Sequence, residues 1–123
     1  MPRKALSACN GQVISTGDGT VLVSERAGSG MDALGGGHLG VVGGCLGASD
    51  YVIVWPHETE VVKDEPLTIE VPDEGTFAVG DNVQVAGGFV LEHSSDEVEP
   101  GSYEVAGVTV PATCAEHDIF VAH

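Results

Sequence analysis

The last ten residues of the chain, CAEHDIFVAH, bring together residue types that could do chemistry. Cys114, Glu116, His117 and Asp118 place a thiol, two carboxylates and an imidazole within five positions. A thiol beside an imidazole could be an activated nucleophile, and the carboxylates with the imidazole could hold a metal. In an extended segment, however, neighbouring side chains point to opposite faces. His117 would then face away from both carboxylates, so we interpret the stretch as the polar start of a β-strand, with Asp118 as a turn residue.

Metal-binding patterns elsewhere are incomplete. HETE, residues 57–60, lacks the second histidine of the HExxH zinc motif. A site made of His57, His93 and His117 would depend wholly on the fold, because the spacing of these residues gives no support to it. We therefore predict no catalytic residue, no metal and no cofactor. A metal-dependent enzyme that uses the scattered histidines is kept as the second alternative.

Two further motifs match known sites only in part. GSGMDA, residues 28–33, fits the glycine pattern of dinucleotide-binding loops, but that mechanism needs a strand leading into the glycines and a helix leaving them. Here SERA precedes the glycines and more glycines follow, so we interpret residues 28–37 as a flexible loop. The acid-rich segment EHSSDEVEPGS lacks the ordered spacing of a calcium loop and is typical of a solvent-exposed turn.

Charge excludes some partners. Nineteen acidic residues face four basic ones, which gives a net charge of −15, and the basic residues Arg3, Lys4, Arg26 and Lys63 all lie in the first 63 residues of the chain. Such a surface repels nucleic acid and anionic membranes, so neither is an expected partner. Two explanations of the acidity stay open. It could match a basic partner, or it could keep the protein hydrated in concentrated salt, where screening removes the repulsion.

The 123 residues indicate a single domain, which we place at residues 11–123 after an N-terminal arm at residues 1–10. Three widely spaced cysteines, Cys9, Cys45 and Cys114, are not a disulfide framework. At most one bridge can form within the chain, and we expect buried free thiols instead. The N-terminus has no apolar run long enough for a secretion signal, and no window could span a membrane. We expect a soluble protein, which would be cytoplasmic unless it belongs to a virion surface.

Short strand-like runs bounded by Gly, Pro, Asp or Ser recur along the chain. In LTIEVP, Leu67, Ile69 and Val71 alternate with polar residues, which predicts one buried and one exposed face. DYVIVWP is continuously apolar and should be covered on both sides. The sequence therefore predicts an all-β fold, a small antiparallel β-sandwich or barrel with short strands and glycine-rich loops.

A weak internal repeat suggests two similar β-units, at about residues 17–54 and 80–121. GDGTVLV at Gly17 corresponds to GDNVQVA at Gly80, and LGVVGGCLGASDYVIV corresponds to AGVTVPATCAEHDIFV. In this alignment Asp50 corresponds to Asp118, and Cys45 lies near the position of Cys114.

One stretch, LTIEVPDEGTFAVGDNVQV, resembles part of the small capsid decoration (head-stabilising) proteins of tailed viruses. Gln84 and Ala86 depart from that pattern, since the family has aromatic residues there. The resemblance implies a non-enzymatic, β-rich protein, often trimeric, that is clamped onto a capsid lattice. The positions that carry it are Glu70, Val71, Pro72, Phe77, Ala78, Val79, Gly80 and Asp81, with Gly107 and Val108 near the end.

Taken together, these features predict a structural protein that self-associates and attaches to a larger assembly such as a virus shell, adapted to high salt. The residues expected to contact partners are Pro2, Arg3 and Lys4 in the arm, with Trp55 and Phe89 in the domain. For Trp55 a place in the core is the favoured alternative, because it ends the most apolar strand. The first alternative function is a small acidic ligand-binding module, with its ligand in the glycine-rich segment 28–44 or among Trp55, His57 and Phe89.

Overall fold

The computed structural model describes residues 11–25, 33–72, 74–93 and 101–122, and these contain β-strands and no helix. The all-β prediction is confirmed. The strands in chain order are β1 (Gln12–Ser15), β2 (Thr20–Val23), β3 (Ala33–Val42), β4 (Cys45–Ala48), β5 (Tyr51–Trp55), β6 (Glu60–Asp64), β7 (Leu67–Val71), β8 (Gly75–Ala78), β9 (Asn82–Leu91), β10 (Tyr103–Val105), β11 (Val108–Val110) and β12 (Ile119–Ala122).

The main sheet has seven strands in the order β1-β2-β4-β3-β9-β12-β5, and it closes on itself because β5 also pairs with β2 and β4. The result is a small barrel to which β1 is added outside the ring. Most pairs are antiparallel, as expected, but β5 runs parallel to both β12 and β2. Strands β6, β7 and β8 form a separate antiparallel sheet, and β10 pairs with β11.

Strand β5 is a part of the barrel wall that is buried on both faces. Ile53 and Trp55 belong to a core cluster that draws side chains from all six strands of the ring and is therefore the barrel interior. Val52 and Val54 point the other way, into a second cluster closed by β11 and the segment 111–117. Each of these four residues is fully buried, which confirms the prediction that this continuous apolar run is covered on both sides.

The three-stranded sheet adds its own inner face to the interior cluster. Leu67, Ile69 and Val71 of β7 are buried, while Thr68 is half-buried and Glu70 is exposed. This is the alternation predicted from the sequence. Because β7 lies between β6 and β8, its hydrophobic residues reach the barrel with a paired backbone on both sides.

The glycine-rich segment 28–37 was predicted to be a loop, and for residues 33–37 this is wrong, because they form the first half of β3. Residues 28–32 lie outside the described ranges. Gly36 and Gly37 have φ angles of 138° and 136°, which residues with side chains rarely adopt. The strand exists because β9 pairs with it along this whole stretch, which satisfies backbone groups that a free glycine segment would leave to water.

The predicted extended conformation of the segment before β12 is also wrong. Residues 112–116 are turns, and the strand begins only at Ile119. The carbonyl oxygen of Pro111 accepts hydrogen bonds from the N–H groups of both Cys114 and Ala115, and the Cys114 carbonyl accepts one from His117. These bonds curl the chain, because one carbonyl oxygen can bind two successive donors only in a tight turn.

Strands β5 and β12, which the internal repeat would equate, lie side by side, with Ile119 opposite Val52 and Phe120 opposite Ile53. The repeat itself, and the division of the domain into two units, stay predictions. Within the described ranges no helix has the length and apolar character needed to cross a membrane.

Candidate functional site

The C-terminal cluster is organised around a disulfide bond. Cys45, the first residue of β4, is bonded to Cys114 in the turn before β12, with 5.9 Å between the two Cα atoms. Both residues are buried. The expectation of free thiols is therefore wrong for Cys45 and Cys114, and the Cys114 sulfur is not available as a nucleophile next to His117. Cys9 lies outside the described ranges. The pairing depends on the parallel placement of β5 and β12, which brings together residues 69 positions apart.

His93 and Asp118 tie the end of β9 to the same turn. The His93 backbone N–H donates to Asp118 Oδ1 over 2.9 Å. The His93 ring contacts the Ala115 carbonyl oxygen through Nε2, also over 2.9 Å, so Nε2 carries the proton. Asp118 directly precedes β12, but the prediction that it is a turn residue is wrong, because its side chain binds the end of a distant strand instead of its own neighbours.

The remaining candidate ligands are dispersed. His57 Nδ1 lies 3.2 Å from the Ser24 carbonyl oxygen. The His117 ring packs on Gly43, where an added Cβ would come within 2.7 Å of His117 Cδ2. Among the described residues, the buried Thr59 Oγ1 has no hydrogen-bond partner. In the part of the chain that the structure describes, no three His, Cys, Asp or Glu side chains are grouped so that they could hold a metal.

A shallow depression of about 540 Å³ is lined by residues of β3 and β9 and by Tyr51. Leu34, the most exposed large hydrophobic residue in the described ranges, borders it, and Gly36 opens it because no side chain fills this position. The Tyr51 hydroxyl accepts a hydrogen bond from the Gly36 N–H over 2.6 Å and donates one to the Gly36 carbonyl oxygen over 3.0 Å. Ser49 Oγ donates to the same carbonyl. These contacts hold the open edge of β3 in place of a neighbouring strand.

The two aromatic residues predicted to contact partners differ in exposure. Trp55 is fully buried, and its Nε1 donates to the Leu46 carbonyl oxygen over 3.2 Å, so it occupies the core, as in the alternative, and presents no surface. Phe89 is half-buried and packs edge-on against both Tyr51 and Phe120, with ring centroids 4.9 and 5.1 Å away. The arm residues Pro2, Arg3 and Lys4 lie outside the described ranges.

Acidic side chains dominate the described surface. Of its fourteen acidic residues only two are half-buried and the others are exposed, whereas Lys63 is the single Lys or Arg in these ranges. The negative charge is thus carried by solvated groups around the barrel, as the composition predicted. The acidic residues are Asp18, Glu25, Asp50, Glu58, Glu60, Asp64, Glu65, Glu70, Glu74, Asp81, Glu92, Glu104, Glu116 and Asp118.

Sequence reasoning missed Tyr51 and Ser49 as the residues that hold Gly36. Only their closeness to a glycine-rich strand in the fold reveals the role, although a tyrosine that opens a very apolar strand is a weak signal that its hydroxyl needs a partner. Comparisons with protein-family models, with curated proteins and with solved structures found no match to this chain.

Proposed function

We propose that this chain is a non-enzymatic structural protein that forms a homo-oligomer and attaches to the outside of a larger protein shell, such as a virus capsid. The observation that carries the proposal is the use of the chemically capable side chains for structure. Cys114 is in the disulfide, and His93 and Asp118 tie the end of β9 to the turn. A rigid block with these residues committed to its framework fits assembly better than catalysis.

The filled barrel supports the same function. Trp55 and Phe120 are fully buried in the interior cluster, so the interior is occupied by side chains and not by a ligand. Barrels of this size are filled by their own residues. Around β5 the outer face of the wall is also covered, by β11 and the segment 111–117. What the molecule offers to a partner is therefore its shape and surface.

The disulfide favours a location of this protein on the outside of an assembly. Disulfides persist in oxidising surroundings, including virion surfaces, and are rare in reducing cytosol. A decoration protein joins the outer surface of a shell that leaves the cell, and there the Cys45–Cys114 bond would be retained. The resemblance of residues 67–85 to capsid decoration proteins points the same way.

The exposed carboxylates fit a high-salt environment. At low ionic strength the nineteen acidic groups, against only four basic ones, repel each other across the surface of one copy and between copies. At about 3 M salt the screening length falls below about 3 Å, and that repulsion is lost. Self-association should therefore strengthen as salt is added, the opposite of what attraction between unlike charges would give.

Light scattering at about 0.1 M and about 3 M KCl tests the proposal, because the two solutions differ several-fold in screening length. We expect a fixed oligomer in the concentrated salt and dissociation in the dilute salt, with circular dichroism run in parallel to verify that the chain is folded in both. A folded monomer at both concentrations would contradict self-association and with it the assembly function.

The depression beside Leu34 favours a second candidate, the ligand-binding module. Its lining combines the Tyr51 ring, the amides of Asn82 and Gln84 and the bare backbone of residues 35–37. Such a mixture suits a small polar ligand that has one apolar face. Fragment screening by NMR, read at the side-chain amides of Asn82 and Gln84, would show saturable shifts if this candidate is correct and none if the assembly function stands alone.

A further inference from the structure

We propose that β1 is the surface through which two copies of this chain associate, by pairing their β1 strands antiparallel about a two-fold axis that passes beside Ile14. This inference rests on the proposed function and names the contact that the homo-oligomer would use. It also departs from the trimer that the family resemblance implies, because a two-fold contact gives an even number of copies.

Strand β1 is the last strand of the main sheet, and in the described ranges it pairs with β2 alone. The N–H groups of Thr20 and Ser24 point away from β1, to the carbonyl oxygens of Gly44 and Trp55. Successive residues of a strand direct their backbone groups to alternate sides, so Val21 and Val23 bond to β1.

Their partners on β1 are Ile14 and Gln12. Val13 and Ser15 must then direct both their N–H and their C=O groups to the outer edge of β1. Gly11 precedes Val13 by two residues and should direct its backbone groups to the same side. Its N–H does so, because it donates outward to the Gly107 carbonyl oxygen over 3.2 Å. That bond closes the edge at Gly11 and leaves Val13 and Ser15 as the outward-facing residues of the strand.

Two copies of this edge fit each other in one antiparallel register. If Ile14 lies opposite Ile14 of the second copy, Val13 lies opposite Ser15, and each such pair exchanges two backbone hydrogen bonds. Symmetry repeats the pair, so all the outward groups of both residues are satisfied. The Val13 side chain, 49% exposed, is covered in the same step.

Two other outer edges, those of β6 and β8, carry features that block strand addition, and the open edge of β3 at Gly36 is already bound by Tyr51 and Ser49. Strand β6 has a bulge between Val61 and Lys63, and the lysine itself discourages pairing. On β8 the Ala78 N–H is already bound by Asp81 Oδ2 over 2.8 Å, which shortens an edge of only four residues. Strand β1, with the sequence QVIS, has no charge, no proline and no bulge.

Charge argues that the occupant is a second copy. The first seventeen residues contain no acidic residue, and the nearest one along the chain is Asp18, whose Oδ2 is bound by the Leu67 N–H. Along β1 itself two copies meet without opposing carboxylates, whereas the acidic surface elsewhere repels another copy. The carboxylate of Glu25 lies beside Gly107, at the Gly11 end of this edge. A basic shell protein would instead be drawn to the acid-rich faces.

Cysteine cross-linking tests the register. Val13→Cys and Ser15→Cys are each made in a Cys9→Ser chain and oxidised at about 3 M KCl, singly and mixed in equal amounts. The opposed pair would have its Cα atoms about 5.5 Å apart, within disulfide range, whereas the new thiols of two Val13→Cys chains would be offset by about 7 Å along the strands. We expect the mixture to cross-link several-fold faster than either variant alone, with the mixed disulfide as the main product.

Val62→Cys in the same Cys9→Ser chain is the matched control, because Val62 is 50% exposed on β6, and it should cross-link slowly. Val13→Pro removes an outward N–H without removing a bond to β2, so we expect loss of the oligomer by light scattering with unchanged circular dichroism. Two results would contradict β1 pairing but not the assembly function, provided that the parent chain is oligomeric. One is a Val13→Pro chain that keeps the full oligomer mass, and the other is a mixture that cross-links no faster than the single variants. A monomeric parent chain in concentrated salt would refute both.

Discussion

The Cys45–Cys114 disulfide should supply a large part of the stability of this domain. Its sulfur atoms link the first residue of β4 to the turn before β12, and both residues are buried. Reducing the bond leaves these contacts available in the folded state. The loss of stability should come mainly from the unfolded chain, whose conformational entropy rises when the cross-link is removed.

The size of the effect follows from the loop that the bond closes. The two cysteines are 69 positions apart. For a loop of this length the chain-entropy relation gives a loss of about 4 kcal/mol at 25 °C on reduction. Small domains are stable by roughly 5–15 kcal/mol, so the reduced protein should be marginal or unfolded under conditions in which the oxidised protein is folded.

Urea unfolding with and without a thiol reductant measures this difference, at a salt concentration that holds the oligomeric state constant. The double variant Cys45→Ala/Cys114→Ala should resemble the reduced protein, with a further loss from the shortened buried side chains. Cys9→Ser serves as the control, since the third cysteine cannot join a bond that Cys45 and Cys114 already share. The reductant should lower the unfolding free energy of this variant as much as that of the parent chain. Coincident unfolding curves for the oxidised and reduced proteins, or alkylation of Cys45 and Cys114 in denatured unreduced protein, would refute the reasoning.

Two substitutions test the packing of β3. Gly35→Ala should destabilise the domain by about 1–3 kcal/mol, because its Cβ would lie 2.8 Å from the buried ring of Phe120. Gly40→Ala on the same strand is the control: its Cβ would meet no described atom within 4 Å, so the unfolding free energy should change little. Equal effects of the two alanines in urea unfolding would show that backbone freedom and not the ring contact decides. Tyr51→Phe keeps the ring but removes both hydroxyl bonds to Gly36, so a loss of about 1–2 kcal/mol is expected by the same measurement, and an unchanged midpoint would show that water replaces them.

Much of the fold could be predicted from local pattern. The period-two alternation of residues 67–71 gave the buried face of β7 correctly, and the apolar run that ends in Trp55 gave a strand buried on both sides. Such patterns suffice because burial of a strand face depends on the order of its own side chains. The candidate site was harder to predict from the sequence, because its contacts join residues far apart in the chain. The hydrogen bond from the His93 N–H to Asp118 is an example.

The sequence by itself determined the all-β class and the acidic surface. Composition and strand periodicity are properties of the chain, and the exposure of charged groups follows from the cost of burying them. The tertiary structure alone decided that Cys45 meets Cys114, that residues 33–37 form a strand, and that β1 pairs on one side only among the described strands. Each of these depends on which strands lie side by side, and pairing between distant strands is set by the closure of the whole barrel and not by any local run of residues.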